Sequence, residues 1–208
     1  MLSIVIQAGG ESRRMGSDKA LLPFLGQPLI LRPINRLAAI ADEILVTSNQ
    51  PENYHFLGFT PLPDLLPGMG ALGGLYTALS SARYPYVAVV ACDMPFANAN
   101  IIEFELKRLL ETGADAVVPR LEAGIEPFHA IYRRDSCLPY VKAALDAGKR
   151  RVDAWFSEVF ILYLGTEQLL PYDPEQLAFL NINTPEDLNI VEKIASHKTA
   201  LDKTNYSH

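Results

Sequence analysis

Leu2-Ser3-Ile4-Val5-Ile6-Gln7-Ala8-Gly9-Gly10-Glu11-Ser12-Arg13-Arg14-Met15-Gly16-Ser17-Asp18-Lys19 opens as an apolar run and breaks into a glycine-rich, basic loop. The run Leu2, Ile4, Val5, Ile6 is apolar without alternation, the pattern of a strand covered on both faces. Paired glycines let the main chain turn sharply and bring bare N–H groups close to an anion, and Arg13, Arg14 and Lys19 set full positive charge beside them. The natural guest of such a loop is a polyphosphate. It is not a Walker P-loop, because the interval from Gly10 to Gly16 is too long for that spacing in any register.

Further along, Glu43 to Val46, Tyr86 to Ala91, Ala116 to Val118, Phe128 to Tyr132 and Phe160 to Leu164 also read as strands. Helical patterns fall at Leu29 to Ala39, Leu72 to Ala82, Asn98 to Glu111, Asp135 to Ala147 and Pro185 to Ala195. Leu138, Val141 and Leu145 form one apolar stripe, and Thr184-Pro185-Glu186-Asp187 supplies an N-cap, a first-turn proline and an acidic first turn. This alternation predicts one three-layer α/β/α domain with an open, mostly parallel sheet, over residues 1–197, followed by a polar tail at 198–208. Ligands of such sheets bind beyond the carboxyl ends of the strands, so loops that directly follow strands are the functional candidates.

The chain has 208 residues and a formal charge of −6. That length buries a core without disulfides or metal. The cations are local, Arg13, Arg14, Lys19 and then Lys149, Arg150, Arg151, which suits a small anionic ligand and argues against nucleic acid as a partner. Cys92 and Cys137 lack metal-site spacing and read as reduced thiols of a cytoplasmic protein. No stretch reaches the ~18 consecutive apolar residues that span a membrane, and Gly9 comes too early for a signal peptide.

Gly68-Met69-Gly70-Ala71-Leu72-Gly73 matches the dinucleotide pattern Gly-x-Gly-x-x-Gly, but Pro61, Pro63 and Pro67 precede it where a strand is required. The better reading is a loop that opens a helix near Leu72 and offers main-chain N–H groups, Gly73 included, to a ligand. Asp93 ends an apolar strand in Cys92-Asp93-Met94-Pro95, where a carboxylate beside a triphosphate is a hard-oxygen ligand for Mg2+ and otherwise a turn cap. Asn181 and Asn183 either complete the ion's shell or serve turn and cap chemistry. His129 reads equally as a hydrogen-bonded core group or a ligand, and Lys149 to Arg151 equally as a solvated face or a second phosphate contact.

Together these residues resemble the molybdenum cofactor guanylyltransferases, within the nucleotidyltransferases of the nucleotide-diphospho-sugar transferase fold. The resemblance runs through Gln7 to Lys19, Asp64 ahead of Pro67-Gly68, Gly73-Gly74-Leu75, Cys92-Asp93-Met94-Pro95, Arg150-Arg151-Val152 and Asn181-Ile182-Asn183-Thr184-Pro185-Glu186-Asp187. It implies transfer of GMP from GTP to the phosphate of Mo-molybdopterin, with release of pyrophosphate and transient contact with molybdoenzymes or their chaperones. On matching positions, Gln7, Ala8, Gly9 and Gly10 would border the nucleotide, Asp64 its guanosine end, Lys19 its phosphates, and Asp93 the Mg2+; Lys19, Arg13 and Asp93 would carry catalysis. Gln7 departs from the family's Leu, Ala71 from its Pro, and Thr47 stands where some relatives place an Asn near the nucleotide. The alternatives are a CTP- or sugar-phosphate-using nucleotidyltransferase, or a nucleotide-binding partner of molybdoenzymes without catalysis.

Overall fold

The structure is a computed structural model that describes residues 1–8 and 18–205, with side chains as far as residue 198. Its elements in chain order are β1 (Leu2–Gln7), β2 (Pro23–Phe24), β3 (Gln27–Pro28), α1 (Leu31–Leu37), β4 (Glu43–Thr47), α2 (Gly70–Ser81), β5 (Tyr86–Ala91), α3 (Ala99–Thr112), β6 (Ala116–Leu121), β7 (Gly124–Ile125), β8 (His129–Arg133), α4 (Arg134–Asp146), β9 (Ile161–Gly165), α5 (Thr166–Leu169) and α6 (Pro185–Asn205). The main sheet runs β4-β1-β5-β8-β6-β7, with β9 paired to β6. β4, β1, β5, β6 and β9 point one way, while β8 and the short β7 run against them. The expected α/β/α architecture with a mostly parallel sheet is therefore present.

Both faces of the sheet are apolar because both are covered. Ile4, Ile6, Ala88, Val90 and Ile131 pack on one side with Leu37 of α1 and Ile101, Ile102 and Leu109 of α3. Their strand neighbours Val5, Val87, Val89, Ala130 and Tyr132 pack on the other with Leu72, Leu75 and Leu79 of α2 and Val141 and Leu145 of α4. Adjacent residues thus enter opposite cores, which is the origin of the unbroken apolar runs. A third cluster joins Phe24 and Leu29, around the β2–β3 hairpin, to Phe96, Ile182 and Val191. It ties the segment after Asp93 to the final helix.

Chain order sets the ligand site. β1 leads by way of α1 to β4 on one flank, and β4 returns by way of α2 to β5 on the other, so the order reverses between β1 and β5. Crevices at such switch points receive ligands. Gln7 and Ala91 pair at this place, and Cys92 N–H donates to the Gln7 carbonyl at 3.0 Å.

Two differences from the sequence reading concern ends. α2 begins at Gly70, two residues early, with Gly70 at φ +64°. The last helix continues to Asn205, past Ala195 and through the start of the stretch read as a polar tail. No Gly or Pro interrupts it after Pro185, and the added residues include Ala200, Leu201 and Lys203, all good helix formers.

Beneath the switch point lies a buried carboxyl–imidazole pair. Glu105 of α3 and His129 of β8 are fully buried, with His129 Nδ1 3.7 Å from Glu105 Oε1. His129 Nε2 accepts from the Asn98 N–H at 3.1 Å, so the imidazole fixes the start of α3. Burial pushes the Glu105 carboxyl from 4.5 up to about 7, with His129 opposing the shift. The folded protein holds this proton to higher pH than the unfolded chain, so the stabilising contribution is whole below about pH 4.5 and is lost as pH rises toward 7. Denaturant unfolding of wild type and Glu105→Gln should therefore show the wild type losing stability relative to the variant between pH 5 and pH 7; a pH-independent difference would refute the assignment.

Candidate active site

Lys19 is the first residue of a short 3-10 turn whose N-cap is Asp18. The Asp18 carboxylate accepts from Ala20 N–H at 3.0 Å and from the Tyr54 hydroxyl at 2.5 Å, which anchors the base of the Lys19 side chain. Lys19 Nζ then donates to Asp93 Oδ2 at 3.0 Å and to Asn183 Oδ1 at 2.7 Å. The three residues come from the end of the basic loop, the end of β5 and the approach to α6. Lys19 and Asp93 side chains are each about four-fifths shielded, at 19% and 18% exposure, so the pair is only partly screened by water.

The supports of this node are local. Asp93 follows the last residues of β5, and its carbonyl accepts from Ile182 N–H at 3.0 Å. Asn183 is held by its own backbone, because Asp187 Oδ2 accepts from the N–H groups of Asn183 at 2.9 Å and Thr184 at 2.8 Å while Thr184 Oγ1 accepts from Asp187 N–H. This is a reciprocal N-terminal cap, and these bonds hold the Asp187 carboxyl below its ordinary range. The cap role considered for Asn183 is thus met by its main chain, while its side-chain oxygen accepts from the Lys19 ammonium. The Asn181 side-chain N–H donates to the Phe179 carbonyl at 3.3 Å.

On the other side of β1 the crevice changes character. Thr47 is buried, pairs with Gln7 across the strands, and its carbonyl accepts from Ala8 N–H at 2.8 Å, so it shapes the sheet edge through its main chain. The chain at Leu62 bridges Thr47, and two residues later Asp64 is half-buried. Burial raises the Asp64 carboxyl, opposed by a hydrogen bond from the Asn49 side chain. Asn49 was not singled out by the sequence; only its place two residues beyond β4 marks it. Gln7 lays its carboxamide against Gly74, where an added Cβ would stand 3.1 Å from both amide heavy atoms.

Gly73 is buried inside α2, where an added Cβ would meet Met69 Cβ at 2.8 Å and the Leu66 carbonyl at 3.2 Å. Close packing of the loop onto its helix accounts for this glycine. No strand enters Gly68, in keeping with rejection of the dinucleotide pattern. Lys149 to Arg151 lie beside this loop: Arg150 Nη1 donates to the Gly68 carbonyl, Leu72 N–H to the Arg150 carbonyl at 3.2 Å, and Arg151 pairs with Asp153. Gly9, Gly10 and Arg13 fall outside the described residues. His129 is a core group, as its burial and its bond to Asn98 require.

The donor set suits a small hard cation. One carboxylate oxygen of Asp93 and the amide oxygen of Asn183 converge on the point that the Lys19 ammonium takes, and Mg2+ commonly uses one or two protein oxygens with the remainder from phosphates and water. Among the described residues no three His, Cys, Asp or Glu side chains stand together as a metal cage. No helix among them is long and apolar enough to cross a membrane.

An open α/β sheet with a lysine and a carboxylate at its switch point is a ligand-binding α/β fold with its crevice beyond the strand ends. Residues 4–159 match the MobA-like NTP transferase domain, and the chain belongs to that family. It is 37% identical to the molybdenum cofactor guanylyltransferase of Syntrophotalea carbinolica, over 89% of this chain and 88% of the relative. It is 36% identical to a probable molybdenum cofactor guanylyltransferase of Carboxydothermus hydrogenoformans, over 95% and 98%. Its fold superposes on the crystal structure of molybdopterin-guanine dinucleotide biosynthesis protein A from Archaeoglobus fulgidus with a TM-score of 0.81, at 27% identity over 94% of this chain and 99% of that one.

Replacing Gly73 with Ala should destabilise the fold by about 1–3 kcal/mol, the usual cost of overpacking. Urea unfolding is the check, and an unchanged midpoint would show that the loop can move away from α2 without penalty.

Proposed function

We propose that this protein transfers GMP from GTP to the terminal phosphate of Mo-molybdopterin, in the cytoplasm, giving the guanine dinucleotide cofactor and pyrophosphate. The observation that carries the proposal is the Lys19 ammonium held between Asp93 and Asn183 at the β1/β5 switch point, in a chain whose relatives are named for this activity.

In the reaction, an ionised oxygen of the acceptor phosphate attacks the α-phosphorus of GTP. A new P–O bond forms, the bond from the α-phosphorus to the α,β-bridging oxygen breaks, and its electron pair leaves on pyrophosphate. The nucleophile is already an anion, so no side chain has to remove a proton. Catalysis then consists of positioning and neutralising charge. Lys19 turns from its carboxylate partner to the phosphates, as a compact point charge on a flexible stem can do. Arg13 adds a bidentate grip on phosphate oxygens, and Gln7, Ala8, Gly9 and Gly10 border the nucleotide at the end of β1. Thr47 backs this edge through its main chain. Asp64, supported by Asn49, faces the guanosine end.

Asp93 and Asn183 would hold Mg2+, which when bound neutralises phosphate charge and orients the triphosphate. Asn181, whose amide nitrogen donates to the Phe179 carbonyl, would complete the ion's surroundings through its side-chain oxygen. The product is handed on to molybdoenzymes or their chaperones; nucleic acid and membrane have no part in the reading.

Transfer of label from α-labelled GTP to Mo-molybdopterin, with Mg2+ present, is the test. Faster pyrophosphate release from CTP or UTP than from GTP would favour a cytidylyl- or sugar-directed relative, and intact nucleotide throughout would favour a binding partner without catalysis. Lys19→Ala should lose about 3 kcal/mol of transition-state stabilisation, on the order of 100-fold in rate; an unchanged rate would contradict its role. Asp93→Asn should raise the Mg2+ concentration needed for half-maximal rate. Wild-type Mg2+ dependence in that variant would remove Asp93 from the ion's surroundings.

A further inference from the structure

Resting on the transfer reaction above, we propose that the pterin ring system of the acceptor binds in a separate cleft at the carboxyl ends of β6 and β9. This cleft has a volume of about 310 Å3, and its walls include Leu121, Glu122, Ala123, Leu169, Asp173 and Phe179. That volume lies within the range of small-molecule sites.

Position is the first argument. β5, β8 and β6 are adjacent strands, so Leu121 at the end of β6 stands two strand spacings, about 10 Å, from β5, whose last residue Ala91 lies two before Asp93. The cleft wall and the cation node also share one continuous segment. Phe179 lines the cleft and accepts from Asn181, Ile182 N–H donates to the Asp93 carbonyl, and Asn183 accepts from Lys19. Gln7, Asn49 and Asp64 lie the other way, across β1 and β4. A product with a heterocycle at each end and a pyrophosphate in the middle needs this order: base, phosphate centre, second ring.

Chemistry is the second. The cleft has apolar walls in Leu121, Leu169 and Phe179, two carboxylates in Glu122 and Asp173, and, among the described residues, no cationic lining residue. It therefore repels the phosphate end of the acceptor, which Lys19 attracts, and accepts a flat ring with N–H donors. The 2-amino and ring N–H groups of a pterin form such a donor pair, which one carboxylate can accept with both its oxygens or share with a second acceptor. Asp173 is held in place because its Oδ2 accepts from Ala178 N–H at 2.8 Å, which leaves its other oxygen for a ligand. Gln176, also in the wall, adopts φ +54°, a conformation costly for a non-glycine residue and frequent at binding sites.

Two variants of the full chain test this by steady-state kinetics with both substrates varied. Ala123→Trp fills the cleft from an exposed hairpin, and the double variant Glu122→Gln, Asp173→Asn removes the charge while keeping an oxygen acceptor for Ala178. The filled cleft should raise KM for Mo-molybdopterin by about tenfold or more, and the neutral pair by several-fold, with calorimetric Kd for GTP changed by less than about twofold. Acceptor KM values equal to wild type in both variants would overturn the cleft while leaving the transfer reaction in place. Failure of the wild-type protein to transfer GMP to Mo-molybdopterin would overturn both.

Discussion

One ammonium group organises this site. Lys19 Nζ closes a three-way contact among the end of the basic loop, the end of β5 and the approach to α6, segments separated by 74 and 164 residues from Lys19 in the chain. Each partner is also fixed independently of the contact: Asp93 by the sheet and the Ile182 bond, Asn183 by the α6 cap, Lys19 by the Asp18 turn. The lysine can therefore change partners without the scaffold collapsing. A partly shielded carboxylate requires a neighbouring cation, and either an ammonium or a metal ion meets that requirement. Such exchange is what a site must permit if it loads a metal-bound polyphosphate.

The surroundings of this node divide the sheet edge into two unlike halves. Toward β1 and β4 the polar groups are Gln7, Asn49 and Asp64, set beside a glycine loop that Arg150 and Gly73 pack against its helix. Toward β8, β6 and β9 the edge becomes apolar with carboxylates at its rim. Below them, the buried Glu105–His129 pair holds the Asn98 main chain, and the cluster of Phe24, Phe96 and Ile182 fastens the chain after Asp93 to the last helix. Charge, apolar surface and buried polarity are thus distributed so that the Lys19 ammonium stands between a polar half and an apolar, acid-rimmed half.

Most of the fold was legible because its strands are buried on both sides. Unbroken apolar runs such as Tyr86–Ala91 need no tertiary knowledge to be read, and the helices between them carry their own stripes and caps. Strand direction was not legible: nothing in His129–Arg133 reveals that β8 runs against β5, since direction comes from how the connection returns. The β2–β3 hairpin escaped because its strands are two residues each and include prolines. At the site, Lys19 and Asp93 stood out by their positions after strands, and their mutual bond did not, because sequence separation conceals contact. Asn49 was missed since a lone amide in a turn resembles any other turn residue, and the bond of Arg150 to the Gly68 carbonyl was not legible because a basic run looks alike whether solvated or bonded. For Asn183 the cap is seen in the main chain, and because main chain and side chain act separately, the cap leaves the side-chain oxygen to face Lys19.

The most direct measurement is a crystal structure of the protein soaked with GTP and Mg2+. The expected result is a triphosphate against Lys19, with the lysine released from Asp93 and the ion taking its place beside the Asp93 and Asn183 oxygens. A bound triphosphate that leaves the Lys19–Asp93 pair intact, with the ion elsewhere, would contradict the role assigned to this node.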